Sequence, residues 1–232
     1  MYKRKKIPRA TNNQYYNSTI FEIIYEINAW GGEKGEFYSG TGSHNHEIPG
    51  YAKIVSDFIE QNNIREIVEI GCGDFNVTKT ILDLLDQKNK EYSYIGYDVV
   101  KQLIERNKKK YGCPRIKFKR KDSCTGIIRG GDLLMIRQVM QHLNNKAIAQ
   151  IVEKFKNYKY IIFTEHQLSE KYNDTTIPNN DITTGSATRL HFKSGVYLEM
   201  APYNCNIHSK LYSFPESVNR IEASINTYLI KT

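Results

Sequence analysis

The run Ile67-Val68-Glu69-Ile70-Gly71-Cys72-Gly73-Asp74-Phe75-Asn76 decides how this sequence folds. Its first four residues are apolar or acidic in β-favouring order, Gly71 and Gly73 bracket a turn, and Val77, Ile81, Leu84 and Leu85 keep helical spacing beyond it. The reading is strand, tight turn, helix. The two glycines admit backbone angles closed to other residues and let a ligand lie against the main chain, while the helix offers unpaired N–H groups at its start. Glu69, just ahead of the turn, suits a cationic or hydroxyl-bearing ligand better than a phosphate. A dinucleotide turn requires a third small residue for the pyrophosphate, and Phe75 and Asn76 stand there instead. A nicotinamide-dependent enzyme is therefore disfavoured.

Working outward, Tyr92 to Asp98 reads as a second strand ending in a carboxylate about 25 residues beyond Gly73, where a ribose-diol binder belongs at the carboxyl edge of a parallel sheet. Ile116 to Arg120 predicts a third strand, followed by Asp122 and Ser123. Leu133 to Arg137 is the fourth, Tyr160 to Thr164 the fifth, and Ile207 to Phe214 with Ser224 to Ile230 a closing antiparallel pair. Helices are expected over 19–28, 51–59, 76–88 and 100–110, and beyond an Asn144 or Asn145 cap. The fold class is α/β: a Rossmann-like, mostly parallel seven-stranded sheet flanked by helices, its last strand antiparallel. Residues 1–49 supply a basic arm (1–17), a helix and a glycine-rich lid (29–50). Residues 50–232 form the main domain, with a long irregular segment at about 168–206 assigned to an acceptor pocket.

These blocks resemble the class I S-adenosylmethionine-dependent methyltransferases. More narrowly, Tyr25, Asn28, Trp30, Gly31, Ser39-Gly40-Thr41-Gly42-Ser43, Gly71-Cys72-Gly73-Asp74-Phe75, Gln141-His142-Leu143, Asn179-x-Asp181-Ile182-x-x-Gly185-x-x-x-Arg189-Leu190 and Pro202-Tyr203-Asn204 resemble a small bacterial subgroup linked to capsule and surface-polysaccharide biosynthesis. Phe75 departs from the usual glycine and Gln138 from the acid of that subgroup. The resemblance implies S-adenosylmethionine as cofactor and S-adenosylhomocysteine (SAH) as product. It implies that Trp30, Ser39, Gly42, Glu69, Gly71, Gly73, Asp74, Phe75, Asp98, Val99, Asp122, Ser123 and Arg137 bind that cofactor, with Asp98 on the ribose and Asp122 on the adenine amino group. Tyr38, Asn180, Arg189 and Tyr203 are the acceptor-binding candidates, and the Arg189 fork suits a phosphate or carboxylate.

A hydroxyl acceptor calls for a general base. His166 and Asp181 lead, followed by His142 and Glu165, because the fifth strand delivers Glu165 and His166 to the edge that carries Gly71 and Asp98. The expected reaction is O-methylation of a sugar, sugar nucleotide or phosphoryl-containing precursor of a bacterial surface polysaccharide. An RNA methyltransferase and a nonenzymatic cofactor-binding subunit are the alternatives. No Asn-Pro-Pro-Tyr-type tetrapeptide follows the fourth strand, where Arg137-Gln138-Val139-Met140 stands, so nucleic acid is not the expected partner.

The composition is compatible with this. The chain has 232 residues, 40% of them hydrophobic, enough for one core, and 33 basic against 25 acidic residues give a net charge of +8, which favours an anionic acceptor. Cys72, Cys113, Cys124 and Cys205 show neither a disulfide framework nor zinc-ligand spacing, and His44, His46 and Glu47 lack a further partner, so no metal is expected. No leader or membrane-spanning run is found, and a cytoplasmic monomer or homodimer is the expectation.

Overall fold

The computed structural model describes residues 13–232. Most of the basic arm, Lys3 to Lys6 included, lies outside the described residues. Helix α1 runs Asn13–Glu26, α2 Ile48–Gln61, α3 Asn76–Gln87, α4 Lys101–Tyr111 and α5 Asn145–Val152. The strands are β1 Glu66–Ile70, β2 Ser93–Asp98, β3 Ile116–Arg120, β4 Gly131–Arg137, β5 Tyr158–Leu168, β6 Ile207–Pro215 and β7 Ala223–Lys231. They form one seven-stranded sheet in the order β3-β2-β1-β4-β5-β7-β6. β1 to β5 pair in parallel, and β7 runs antiparallel to both β5 and β6.

Strand periodicity sorts the core into two layers. In β4, Leu133 and Met135 join Ile59, Ile81 and Leu85 beneath α2 and α3, while Leu134 and Ile136 join Ile148, Ile151 and Phe163 beneath α5. A strand buried on both faces therefore reads as an unbroken apolar run. Asn144 caps α5, its side chain accepting from Ala147 N at 2.8 Å.

The structure corrects three boundaries. Helix α1 begins inside the stretch read as an arm, and Ile23 and Ile27 of its expected apolar stripe are 49% and 66% exposed. Asn17, Phe21 and Tyr25, spaced at i, i+4 and i+8, face inward instead. Strand β5 continues four residues past Thr164, so Glu165 and His166 lie within a ladder and not beyond its end. Each polar side chain there finds a local partner: Glu165 Oε1 accepts from Met140 N (2.7 Å), His166 Nε2 donates to Glu216 O (2.6 Å), and Gln167 Nε2 donates to Val196 O (2.8 Å).

The third concerns 168–206. This segment folds against the β4–α5 connection and is held by Arg189, which is 1% exposed. Its guanidinium donates to Asn180 O, to Leu143 O at 2.6 Å and to Asn145 Oδ1 at 2.9 Å. Charge-assisted bonds to buried carbonyls are the strong kind. Arg189→Ala is expected to cost about 3 kcal/mol or more and to lower Tm by roughly 6–12 °C in calorimetry. A Tm within 2 °C of the parent would show that the segment is held by other contacts.

Candidate active site

The carboxyl ends of β1, β2 and β4 open into a cavity bordered by Gly71, Asp98 and Arg137. Its floor is the Gly71–Asp74 turn. Gly71 N and Cys72 N donate to Tyr97 O at 2.8 and 3.1 Å, and Asn107 Nδ2 donates to Gly73 O at 2.8 Å, so the turn hangs between β2 and α4. Gly71 and Gly73 take φ of 70° and 49°, and a Cβ on Gly73 would lie 2.6 Å from Ser39 Oγ. Phe75 also takes a positive φ, 68°, and turns its ring away into a cluster with Tyr94, Tyr111 and Phe118. It is not a cavity-lining residue; it anchors the start of α3.

Two acids mark the far wall. Asp98, ending β2, accepts from Gly73 N (3.1 Å) and Val100 N (3.0 Å), and burial pushes its carboxyl up. Asp122, past β3, accepts from Cys124 N (2.8 Å) and from Asn17 Nδ2 of α1 (3.1 Å). Val99, Ser123 and Lys121 line the same wall. Glu69 borders the cavity too, but its carboxylate is engaged by Thr78 Oγ1 (2.8 Å) and the Tyr94 hydroxyl, and burial raises it to about 7.

The roof comes from the N-terminal segment. Ser39 N donates to Asp74 Oδ2 (3.1 Å) while Asp74 N donates to Ser39 Oγ (2.8 Å), and His44 Nε2 meets Asp74 Oδ2 at 2.7 Å. Tyr25 hydroxyl and Ser39 Oγ are 2.7 Å apart. Gly42 packs on the Gln138 side chain, and Tyr38 stacks on His44 at 4.6 Å, outside the lining. Asn17, Phe21, Tyr25 and Ser43 line the cavity and escaped the sequence-based site assignment. Tyr25 and Ser43 fell in the quoted blocks; the signal for Phe21 was its four-residue spacing from Tyr25.

The remaining wall is Arg137, Gln138, Val139 and His142. Of the four base candidates only His142 lines the cavity. Its ring packs on Trp30 at 5.0 Å, Nδ1–H donates to Ala187 O (3.3 Å), and Gln141 Nε2 donates to Nε2 (3.3 Å). Burial lowers it to about 4, so it is neutral at physiological pH. His166 and Glu165 are bound within β5 as described, and Asp181 Oδ1 accepts from Asn145 N (2.7 Å) and Ile182 N (3.0 Å). Arg189, Asn180 and Tyr203 are likewise absent from the lining; Tyr203 hydroxyl donates to Asn145 Oδ1 at 2.9 Å. The 179–190 segment, outside the lining, reaches the site from behind, through Ser186 O on Trp30 Nε1 (3.1 Å), Ala187 O on the His142 ring and Gly185 N on His142 O (3.0 Å).

The strand order and the single reversed strand define a Rossmann-like methyltransferase fold. No family model and no curated protein sequence matches the chain. Among solved structures, it is similar to the methyltransferase domain of bacterial CtHen1-CN, with 15% identity and a TM-score of 0.51, covering 79% of this chain and 100% of that one. The N-terminal domain of EvdMO1, crystallised with SAH bound, gives 13% identity and 0.52 over 81% and 82%. TehB from Haemophilus influenzae gives 13% identity and 0.50 over 78% of this chain and 61% of its own length. The likeness is one of fold. No helix among the described residues is long and apolar enough to cross a membrane.

Burial ties stability to pH here. Glu69 and Glu165 are raised from the usual carboxylate range to about 7 and about 8 by desolvation. Between the unfolded value and these, the folded chain holds protons that the unfolded chain has released. Stability is thus full below the unfolded value and is lost as pH rises through the folded one. Glu165→Gln is expected to flatten this slope by on the order of 2 kcal/mol between about pH 5 and pH 8 in urea titrations. Parallel pH profiles for the variant and the parent would refute it.

Proposed function

We propose that the chain is an S-adenosylmethionine-dependent O-methyltransferase whose acceptor is a sugar, sugar nucleotide or phosphoryl-containing precursor of a bacterial surface polysaccharide. The observation that carries the reading is the convergence of Gly71–Asp74, Asp98, Asp122 and His142 on one cavity. The fold and the sequence blocks of the subgroup support it from independent directions.

The residues fit the cofactor chemically. Asp98 offers carboxylate oxygens to a ribose diol and Asp122 an acceptor to the adenine amino group, with Val99 and Ser123 beside them. Left-handed Gly71 and Gly73 leave the turn's backbone open to close approach, and Tyr25, Ser39 and Trp30 line the roof side of the cavity. When bound, S-adenosylmethionine supplies an electrophilic methyl group on a sulfonium. The protein's tasks are alignment, worth roughly 7–11 kcal/mol in favourable cases, and removal of the acceptor proton. His142 performs the second once the acceptor hydroxyl displaces Gln141 Nε2 (3.3 Å) from its Nε2 lone pair, taking the hydroxyl proton there while Nδ1–H stays on Ala187 O.

Asp98→Ala is expected to weaken S-adenosylmethionine binding at least tenfold in calorimetry, and unchanged affinity would remove the ribose assignment. His142→Asn is expected to lower kcat about 10²–10⁴-fold with cofactor affinity retained. The acid limb of kcat/KM in the parent is expected near 4 and not near the ordinary histidine value, since the ring is neutral above about 4. A limb at the ordinary value, or full activity in the variant, moves the base elsewhere. Labelled methyl transfer into surface-polysaccharide precursors but not into total RNA is the decisive assay; label in RNA overturns the acceptor class, and cofactor binding without turnover overturns the enzyme.

A further inference from the structure

The Nε–H and Nη2–H of an arginine lie along one edge of the guanidinium, the fork that grips a carboxylate or phosphate through two parallel bonds. In Arg137 both nitrogens of that edge are buried and without a hydrogen-bond partner among the described residues. The third nitrogen is committed, Nη1 donating to Gln138 Oε1 at 2.7 Å. The Tyr51 ring lies 5.0 Å from the guanidinium carbon and fixes its plane.

No carboxylate of the described residues forms an ion pair with Arg137. Glu69, Glu165 and Glu216 act on it at longer range: Glu69 is engaged by Thr78 and Tyr94 and Glu216 by Asn45 Nδ2 at 2.8 Å, while Glu165 accepts from Met140 N through Oε1 and its buried Oε2 forms no ion pair with Arg137. The location is equally specific. Arg137 ends β4 and lines the cavity, across β1 from Asp98 and Asp122, which follow β2 and β3. It stands where β5 and Gln138 bound the site, beside His142 and away from the two acids assigned to the nucleoside.

We propose that the Nε/Nη2 edge of Arg137 is the receptor for an oxyanion, phosphoryl or carboxylate, carried by the methyl acceptor. The proposal rests on the methyltransferase reading and deepens it, replacing Arg189, which lies outside the cavity lining and whose Nη1 and Nη2 are taken by Asn180 O, Leu143 O and Asn145 Oδ1, and giving Arg137 a role other than cofactor binding. A planar fork with an aromatic backing selects a group able to accept two parallel bonds, so a neutral sugar is a poor acceptor and a phosphorylated or uronic sugar a good one.

The test uses the full chain, the Arg137→Gln and Arg137→Lys variants, and calorimetry with three probes. SAH is titrated first, then 5′-methylthioadenosine, which lacks the amino-acid tail, and finally inorganic phosphate or glucuronate into SAH-saturated protein. Expected are SAH affinities within twofold for all three proteins, binding of at least one anion to the SAH-saturated parent, and a tenfold or greater loss of that binding in both variants. Lysine fails because a point charge cannot supply the fork, so the Lys variant decides the matter even where the Gln variant folds poorly. A tenfold loss of SAH affinity with 5′-methylthioadenosine unaffected would assign the fork to the cofactor's carboxylate and overturn the proposal. Anion binding unchanged in the variants, or absent from the SAH-bound parent, overturns it while leaving the methyltransferase reading intact. Failure of the parent to bind SAH at all overturns that reading instead.

Discussion

Ser39 and Asp74 hold each other by two reciprocal bonds, backbone amide to side chain in both directions, across 35 residues of sequence. The clamp uses a donor left over at the strand-to-helix turn, Asp74 N, which precedes the first full turn of α3, while Asp74 Oδ1 satisfies Asn76 N within the turn at 3.0 Å. It converts the glycine-rich stretch from a loop into a wall. Once Ser39 is fixed, Tyr25 is fixed through its hydroxyl, and Asn76 Nδ2 on Ser43 O (2.7 Å) ties the next turn of the cover to α3. Helix α1 then crosses the mouth far enough for Asn17 to reach Asp122 and Glu22 to reach Arg120 at 3.0 Å. The ordering of a long segment is costly, and these polar contacts recover part of that cost at the place where a ligand needs a dry roof.

Charge is distributed in two populations that do different things. Lys53, Lys79, Lys88, Arg115 and Lys159 pair with acids on the surface, contacts that contribute little to stability. Glu69, Arg137 and Glu165 are buried at the sheet's carboxyl edge, where desolvation shifts each toward its neutral form. These surface pairs carry no net charge and are no guide to the acceptor. One buried guanidinium is a stronger statement about ligand charge than the whole of the surface, because in a low-dielectric site an unpaired donor pair has few alternatives.

The half of the cavity around the Gly71–Asp74 turn was legible as fold because its signals are local: β1, the turn and α3 follow one another without a break, Asp98 ends β2, and Asp122 follows β3 two residues past Arg120. The opposite half was not, and the reasons are physical. Buried polar residues held by tertiary partners disguise a strand end, as with Glu165, His166 and Gln167, where the polar run reads as the strand's exit though β5 continues to Leu168. A buried arginine whose partners are backbone carbonyls, as at Arg189, cannot be told by sequence from one that waits for a ligand, because carbonyls leave no trace in residue type. The start of α1, not its existence, escaped for a related reason: Asn17, Phe21 and Tyr25 face the cavity, while of its isoleucines Ile24 is buried and Ile23 is exposed.

This division explains how the long 168–206 segment serves a site it does not line. Trp30 and His142 face the cavity, and each is held from behind by a carbonyl of that segment, Ser186 O and Ala187 O. Arg189 then fastens the segment to Leu143 O and Asn145, so the backing cannot slide relative to the β4–α5 connection that carries His142. A general base that must stay neutral and keep one tautomer needs a fixed acceptor on its other nitrogen. A buttressed loop supplies that without occupying the volume a substrate requires. On the base role proposed for His142, the irregular segment contributes by packing that orients a single imidazole, while the cavity itself is lined by the sheet edge and the roof.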